Sequence, residues 1–525
     1  MNGIRCDNAA SHSRGAWSVA RVRAAESAMS GRVPEGVLMR RAAFGLASRC
    51  ASVLAERTGG VPGRHVALLV GAGNNGGDAL WAGAYLRRRG VAVTAVLLSP
   101  DRAHPQGLAA LRRAGGRIAD DLPDRAHLVL DGIVGLSGRG GLRPAAARLV
   151  EAVRAPIIAV DSPSGVDPDT GSADGPAVTA TGTVTFGVLK PVHLLAPWRC
   201  GPVHLVDIGL GPELGEPDLR LLTAAEIGTL WPVPGPASDK YSQGVAGIAA
   251  GSADYPGAAV LCAGAAVLAT SGMVRFAGTA ADAVRTRWPE VVATGSVTDA
   301  GKVQAWAVGP GLGTGSTGRQ VLAHVLAAGV PVVADADAIT LLARHPELAD
   351  SRDPDTPLVL TPHDREFERL TGRAPGPNRV AAARDAAHRF NAVLLLKGNT
   401  TIIAAPDGRV LVNPARSAWP ATAGSGDVLT GVIGALLATR LEPATAAAAA
   451  VHAHELAAAI AAGPPVIAFG GQNVVFARPA CTFRQQDAVI ASNGMLGGAP
   501  APASAILGAL SDGIRTLRSQ AGMRG

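Results

Sequence analysis

The stretch Ala421–Gly431, ATAGSGDVLTG, decides how the second half of the chain is read. Gly424, Ser425 and Gly426 leave their backbone amides uncovered, and the apolar run Val428–Leu437 behind them reads as a helix. The free N–H groups at the start of such a helix form an anion site. Asp427 falls in the first turn, where a carboxylate can take a proton from a substrate hydroxyl while the amides hold the phosphate that the hydroxyl attacks. An acid at a helix start can also do no more than offset the macrodipole, so the choice rests on what else the chain carries.

A length of 525 residues predicts two or three domains. Hydrophobic content of 48%, 66 Gly and 3% aromatic residues suit Ala/Val-rich α/β layers with tight strand-to-helix turns. The sequence offers no uncharged run of about 18 apolar residues and no basic-then-apolar start with a cleavage-like site, so a cytoplasmic enzyme with no membrane role is expected. The Ala-rich run Ala444–Ala462 carries His452, His454 and Glu455 and reads as a soluble-protein helix. Cys6, Cys50, Cys200, Cys262 and Cys481 are scattered and odd in number, as reduced core thiols would be. The net charge is +7, but the only dense basic run, Arg87–Arg89, sits at an expected helix end, where cations suit the dipole. No nucleic-acid partner is expected. Lysine occurs only at Lys190, Lys240, Lys302 and Lys397, leaving Arg at the other 44 of the 48 basic positions. A lysine that survives such a bias suggests a need for a compact ammonium.

Residues 1–17 have no apolar period and read as a loose leader. Val19–Ser30 and Val37–Glu56 read as helices, the second with Leu38, Ala42 and Leu46 on one face. Val66–Val70 is a strand running into GAGNNGGD (Gly71–Asp78), followed by a helix to Arg89 and a strand Val91–Leu98. This βαβ opening is not a dinucleotide GxGxxG, because Asn74 and Asn75 occupy its centre. Two Asn and an Asp supply oxygens for a hard cation or for a sugar and phosphate; a turn of left-handed-tolerant Asn and Gly is the plain alternative. His127–Leu130 leads to Asp131 and the loop GIVGLSGRGG (Gly132–Gly141), and Pro156–Val160 leads to Asp161 and SPSGVD (Ser162–Asp167). Ligands of open parallel sheets bind at strand C-termini, so Asn75, Asp131, Asp161 and Ser164 are expected to converge there. Thr183–Gly187 brings Lys190 toward the same edge, and Val203–Gly209 closes the module.

NNGGD, DGIVG, VDSPSGVD and TFGVLKP, in this order after LMRRA, resemble the NAD(P)H-hydrate epimerase family over about Val19–Gly211. The resemblance implies a Rossmann-like three-layer fold. It implies a hydrated dinucleotide on Asn74, Asn75, Gly76, Gly77 and Asp78 and on Gly135, Leu136, Ser137, Gly138, Arg139, Gly140 and Gly141. It further implies potassium on Asn75, Asp131 and Ser164, with Asp161 at the reacting ring and Lys190 beside it as catalytic groups. Two departures are Ala79, where Gly usually follows the Asp, and Gly132, where a small apolar residue is more usual.

The Pro/Gly/acid stretch 212–220 reads as a linker. Beyond it come a short helix Leu221–Leu230, SDKYSQG (Ser238–Gly244), a strand Val245–Ala249 and GSADYPGAA (Gly251–Ala259) opening a long helix. VGPGLG (Val308–Gly313), VADADA (Val333–Ala338), LTPHDREF (Leu360–Phe367) and LKGNTT (Leu396–Thr401) each follow a strand-like run. With the opening stretch they resemble the NAD(P)H-hydrate dehydratase family, a branch of the ribokinase-like fold, over about Leu221–Gly463. The resemblance implies an adenine nucleotide on Lys397, Gly398, Asn399, Thr400, Thr401, Gly424 and Gly426. Ala258, Gly311, Gly313, His363 and Asp427 would meet the hydrated nicotinamide nucleotide, with Asp427 as the base. Asp364–Arg365 departs from the small or Pro-Gly pair the family more often has. Residues 466–500 are an atypical segment, and Ala503–Arg518 regains a helical period.

The expected plan is a leader 1–17, an epimerase domain 18–211, a linker 212–220 and a dehydratase domain 221–525. The expected function is repair of hydrated NADH and NADPH, by exchange of the R and S hydrates and nucleotide-dependent dehydration of the S form. The family implies ADP with magnesium, and a homo-oligomer is expected. A ribokinase-type small-molecule kinase is the alternative, though it leaves the NNGGD module without a purpose; a dead scaffold would lack Asp161 or Asp427.

Overall fold

The strands of the N-terminal half are short runs of Val, Leu, Ile and Ala, most with both faces buried, the pattern of a parallel sheet covered by helices on each side. The computed structural model describes residues 15–350, 352–463, 467–469, 472–474 and 498–522. The chain divides after Arg220 into two units.

In the first unit the sheet order is Arg117–Ala119, Ala92–Leu97, His65–Val70, Leu128–Gly132, Ile157–Val160, Gly182–Phe186, Val203–Val206, all parallel. Alternation assigns the faces. Leu68 and Leu130 enter one core with Leu46, Leu54 and Leu80, while Leu69 and Val129 enter the other with Leu149. The order reverses direction between His65–Val70 and Leu128–Gly132, a topological switch point.

Three sequence expectations change here. Asn74–Asp78 is not a turn: the helix begins at Asn74 and runs to Arg88, because Gly73 takes φ 105° and completes the reversal by itself. Residues 15–17 are not loose, since Gly15–Ala16 pairs antiparallel with Leu219–Arg220 and buried Trp17 donates from Nε1 to Gly215 O at 3.1 Å. The stretch 212–220 is packed for the same reason: Leu214 and Leu219 are buried, and Asp218 accepts from Ser18 N at 2.8 Å.

In the second unit Val393–Leu396, Leu358–Leu360, Val332–Ala334, Ala305–Val308, Val245–Ala249, Met273–Ala277 and Val292–Thr294 are parallel neighbours in that order. An antiparallel hairpin, Thr400–Ala404 with Val410–Pro414, extends the sheet beside Val393–Leu396. Helix Ser425–Ala438 is apolar on nearly every side because it is central, and it packs against Pro256–Ala269 through small residues. Among the described residues, Pro443–Ala462 is long and apolar enough to cross a membrane, and 67% of its most apolar window is buried within the fold. Cys50, Cys200 and Cys262 are buried free thiols, whereas Cys6 and Cys481 lie outside the described residues, as does most of 466–500.

The close approach of the two central helices gives a test. A Cβ at Gly431 would lie 2.2 Å from Cys262 O, a backbone atom that cannot swing aside. Ala gains about 1 kcal/mol in helix propensity over Gly, but overpacking costs about 1–3 kcal/mol. Gly431→Ala is therefore expected to lower the denaturant midpoint of the C-terminal unit and leave that of the N-terminal unit unchanged.

Candidate functional site

In the N-terminal unit a cavity of about 500 Å³ opens at the switch point. Its walls come from Gly71–Asn75 after one strand, from Ile133–Leu142 after the next, and from Asp78 and Asp161. The expected loop residues Gly135–Gly141 and the acids thus meet. Gly76 and Gly77 sit beneath as packing residues: a Cβ at Gly76 would lie 2.3 Å from Gly71 O, and one at Gly77 2.9 Å from the His104 ring.

Asp161 has φ 67°. Its Oδ1 accepts from Lys190 Nζ at 2.5 Å and from Thr185 Oγ1 at 2.9 Å. Lys190 is 1% exposed, and its ammonium also reaches Thr185 Oγ1 at 3.0 Å and Phe186 O at 2.9 Å, an acceptor for each proton. Burial alone would raise the Asp161 carboxyl, but the Lys190 charge and these hydrogen bonds bring it below its ordinary value. Lys190 N donates to His193 Nδ1 at 2.9 Å, so His193 carries its proton on Nε2 and donates to Asp161 O at 2.8 Å. Burial, helped by Lys190, pushes His193 down to about 4, so it is a neutral strut.

Asp131 and Ser164 lie behind the cavity wall. Asp131 is fully buried and its partners are neutral: Ser164 Oγ at 2.6 Å, Ser164 N at 2.8 Å and Ile133 N at 3.3 Å. Burial raises it to about 6 against those hydrogen bonds. The Asn75 amide nitrogen is also buried and makes no hydrogen bond.

In the C-terminal unit the site gathers at the C-terminal ends of five parallel strands. Ala258 and Gly311 touch, since a Cβ at Gly311 would lie 2.9 Å from Ala258 Cβ, and Gly313 N donates to Asp337 at 2.9 Å. Gly424, at φ 81°, caps helix Ser425–Ala438 and puts Asp427 in its first turn. Asp335 is the hub: 2% exposed, it accepts from Lys397 Nζ at 2.6 Å and from Thr430 Oγ1 at 2.8 Å. A Cβ at Gly426 would lie 3.4 Å from both Asp335 Oδ2 and Lys397 Nζ, so the lysine reaches the GSGD turn. Burial first, then Asp335 and, more weakly, Asp337 raise Asp427 to about 7, opposed by Lys397.

Other expected residues are placed less centrally. His363 caps helix Asp364–Thr371, its Nδ1 accepting from Arg365 N at 3.1 Å. Thr400 and Thr401 are buried strand residues, leaving Lys397, Gly398 and Asn399 as the turn. Asp364 is held by Arg379 Nη1 at 2.7 and 2.8 Å, while Arg379 Nη2 donates to Lys397 O at 2.8 Å, so the unusual acid ties the His363 loop to the Lys397 loop. Asp335, Thr430 and Arg379 join the site without having been expected there from the sequence. Asp335 had a signal, an acid directly after a strand in VADADA, and Thr430 lies three residues past Asp427 on the same helix face.

A Rossmann-like module with a ligand cavity at its switch point and a ribokinase-like module with an acid at an anion-binding helix start define a two-module α/β enzyme. Residues 246–470 match the family described as NAD(P)H-hydrate dehydratase, and residues 35–192 match that described as YjeF-related protein N-terminus. A bifunctional NAD(P)H-hydrate repair enzyme of Mycobacterium leprae is 56% identical over 86% of this chain and 94% of its own length. One from Corynebacterium glutamicum is 40% identical, covering 71% and 78%. A crystal structure of the ADP/ATP-dependent NAD(P)H-hydrate dehydratase of Bacillus subtilis, co-crystallized with ATP and magnesium, is 31% identical over 45% of this chain and 87% of that chain, with a TM-score of 0.41. The chain belongs to the family of bifunctional NAD(P)H-hydrate repair enzymes.

The acid cluster yields a pH test. A base works when ionised, so if Asp427, held at about 7, is the base, the dehydration rate should rise as pH climbs through that value. In Asp335→Asn a neighbouring negative charge is gone and the Lys397 ammonium is no longer neutralised, both of which favour ionised Asp427. The acid limb is expected to move to lower pH, with a reduced plateau as Lys397 loses its anchor; an unmoved limb would show that Asp335 does not act on Asp427.

Proposed function

We propose that the N-terminal cavity exchanges the R and S hydrates of NADH and NADPH, and that the C-terminal site dehydrates the S form with Asp427 as base. The carrying observation is the Asp427 carboxyl, raised to about 7, in the first turn of a glycine-capped helix beside Lys397 and Asp335. Helix amides and Lys397 would hold nucleotide phosphates while Asp427 takes the proton of the substrate hydroxyl. Hydroxide leaves poorly and phosphate well. Once the oxygen is phosphorylated, loss of phosphate and a ring proton restores the double bond. ADP is the proposed donor, and magnesium would enter on its phosphates, as that ion usually does.

Potassium fits the other module. Asp131 is a buried acid with neutral partners, and Ser164 and Asn75 add a hydroxyl and an amide not tied down at its nitrogen. This is an all-oxygen donor set, suited to a hard cation rather than to zinc. The ion would balance the Asp131 charge and fix the loop beginning at Ile133 against helix Asn74–Arg88. A thallium-soaked crystal should show an anomalous peak among these three residues, and a blank map there would remove the ion from the reading. A cytoplasmic homo-oligomer is proposed as its working form, to be checked by light scattering.

Division of labour is the main test. Asp427→Ala should slow dehydration by about 10²–10⁴ while leaving epimer exchange intact. In Asp161→Ala the S form should still be dehydrated at full rate, while the R form disappears only as fast as it epimerises spontaneously. A time course on mixed epimers should show the two variants, combined, clearing both forms. A combination that stays defective would mean that the two modules share one site.

A further inference from the structure

One carboxyl beside the N-terminal cavity stands apart from the hydrogen-bond network. Asp78 is 8% exposed, and its Oδ1 is buried with no hydrogen-bond partner. It lies on helix Asn74–Arg88 and lines both the 500 Å³ cavity and a second of about 520 Å³. With Glu26, Asn74 and Phe186 it forms the wall the two share. A buried carboxylate without donors is costly to ionise, whereas the neutral acid leaves only a carbonyl oxygen unsatisfied.

Burial and the nearest acids act in the same direction. Burial first, then Asp161 and Glu26, hold the Asp78 carboxyl well above its ordinary value; Lys190 opposes them, but that ammonium is already committed to Asp161. Glu26, on helix Val19–Ser30, is itself raised, chiefly by burial. Cations face Asp78 too: Arg23, Arg102, Arg139 and Arg143 line the first cavity, and Arg40 and His104 line the second with Glu35, but among them none is a hydrogen-bond partner of Asp78 Oδ1. Asp161, on the first cavity, is shifted the opposite way. Two acids on one cavity with values pushed apart are the arrangement that separates a proton donor from an acceptor.

We propose that Asp78 is a catalytic residue of the epimerase module, donating a proton to the substrate hydroxyl while Asp161 serves as the matching acceptor; this rests on the epimerase reading of the cavity. Water adds to an enamine at the carbon next to nitrogen, so the hydroxyl to be inverted lies on a carbon bonded to the ring nitrogen. Asp78 gives its proton to that oxygen as the C–O bond breaks. The bond pair leaves with water, and the nitrogen lone pair closes a C=N⁺ bond. Water then adds to the other face, the nitrogen recovers its lone pair, and the surplus proton passes to Asp161. The enzyme is left with Asp161 protonated and Asp78 ionised, the state that runs the reverse inversion, and proton exchange with solvent resets it. Nothing is oxidised or reduced.

The experiment follows epimer exchange in the full-length protein at saturating potassium, across pH, with Asp78→Asn, Asp78→Glu and Asp161→Ala. Asp78→Asn is expected to lower kcat for exchange by about 10²–10⁴, to keep KM within about threefold, and to abolish the alkaline limb, since activity requires protonated Asp78. Dehydration of the S form should not change, and an unmoved denaturant midpoint of the N-terminal unit checks that this module is folded. Asp78→Glu keeps the acid and should retain more activity than Asn. In heavy-oxygen water the wild type should incorporate label at the rate of exchange. The proposal is overturned if Asp78→Asn keeps kcat within about threefold, or loses activity through KM alone with both pH limbs intact. If Asp161→Ala is also inert, the epimerase reading of the cavity fails with it; if Asp161→Ala alone is impaired, only the role given to Asp78 falls.

Discussion

Each module locks one ammonium against one hidden carboxylate: Lys190 on Asp161 at 2.5 Å and Lys397 on Asp335 at 2.6 Å. Removing one partner of a buried pair strands a charge, at about 3–5 kcal/mol, so the pair dictates local geometry more than it adds net stability. The chain uses arginine almost everywhere else, and these contacts explain the exceptions. Lys190 directs its protons to Asp161, Thr185 and the Phe186 carbonyl, three directions that a planar guanidinium fork does not match. Lys397 reaches both Asp335 and the GSGD turn from a single Nζ.

The sheets place those pairs. In both units the first parallel strand, His65–Val70 or Val245–Ala249, becomes a central strand with later strands added on either side. The loops that diverge there leave a crevice at the strand C-termini. Asp161, Asp335, His363 and Lys397 all follow the ends of parallel strands, so sequence-distant residues become neighbours without any one segment coding for the site. Helix Ser425–Ala438 could then be brought down onto the second crevice only with glycines at its contacts, as Gly431 against Cys262 O shows.

This also explains which parts of the fold and sites were legible. Strand-end acids, glycine loops and apolar runs are local signals, and they foretold the sheets, the place of Asp161 after a strand and that of Asp427 in a first helical turn. The start of helix Asn74–Arg88 was misplaced because Asn and Gly are poor helix formers, and a single residue, Gly73, makes the turn they were expected to share. The resemblance puts Gly76 and Gly77 at the ligand, and each also has a packing reason that the sequence does not show: Gly71 O lies against the first and the His104 ring against the second. Asp335 shows in the sequence only as one acid of the VADADA run. Its importance lies in partners 62 and 95 residues away, a relation that no spacing rule contains.

Backbone strain is the last such relation. Among the described residues, four other than glycine have positive φ. Asn391 is an ordinary left-handed helix cap, and Arg440 follows the end of helix Ser425–Ala438. The other two are Asp161 and Ala336, the latter at φ 52° and ψ −111° between Asp335 and Asp337. Such conformations cost about 1–3 kcal/mol each. Nothing about alanine favours that region, so the cause must be its neighbours: Asp335 is tied to Lys397 and Thr430 on one side, and Asp337 to Gly313 N on the other. A buried pair worth about 3–5 kcal/mol against its loss outweighs that strain. The acids beside Asp427 therefore sit where their hydrogen-bond partners require, and the backbone yields to them.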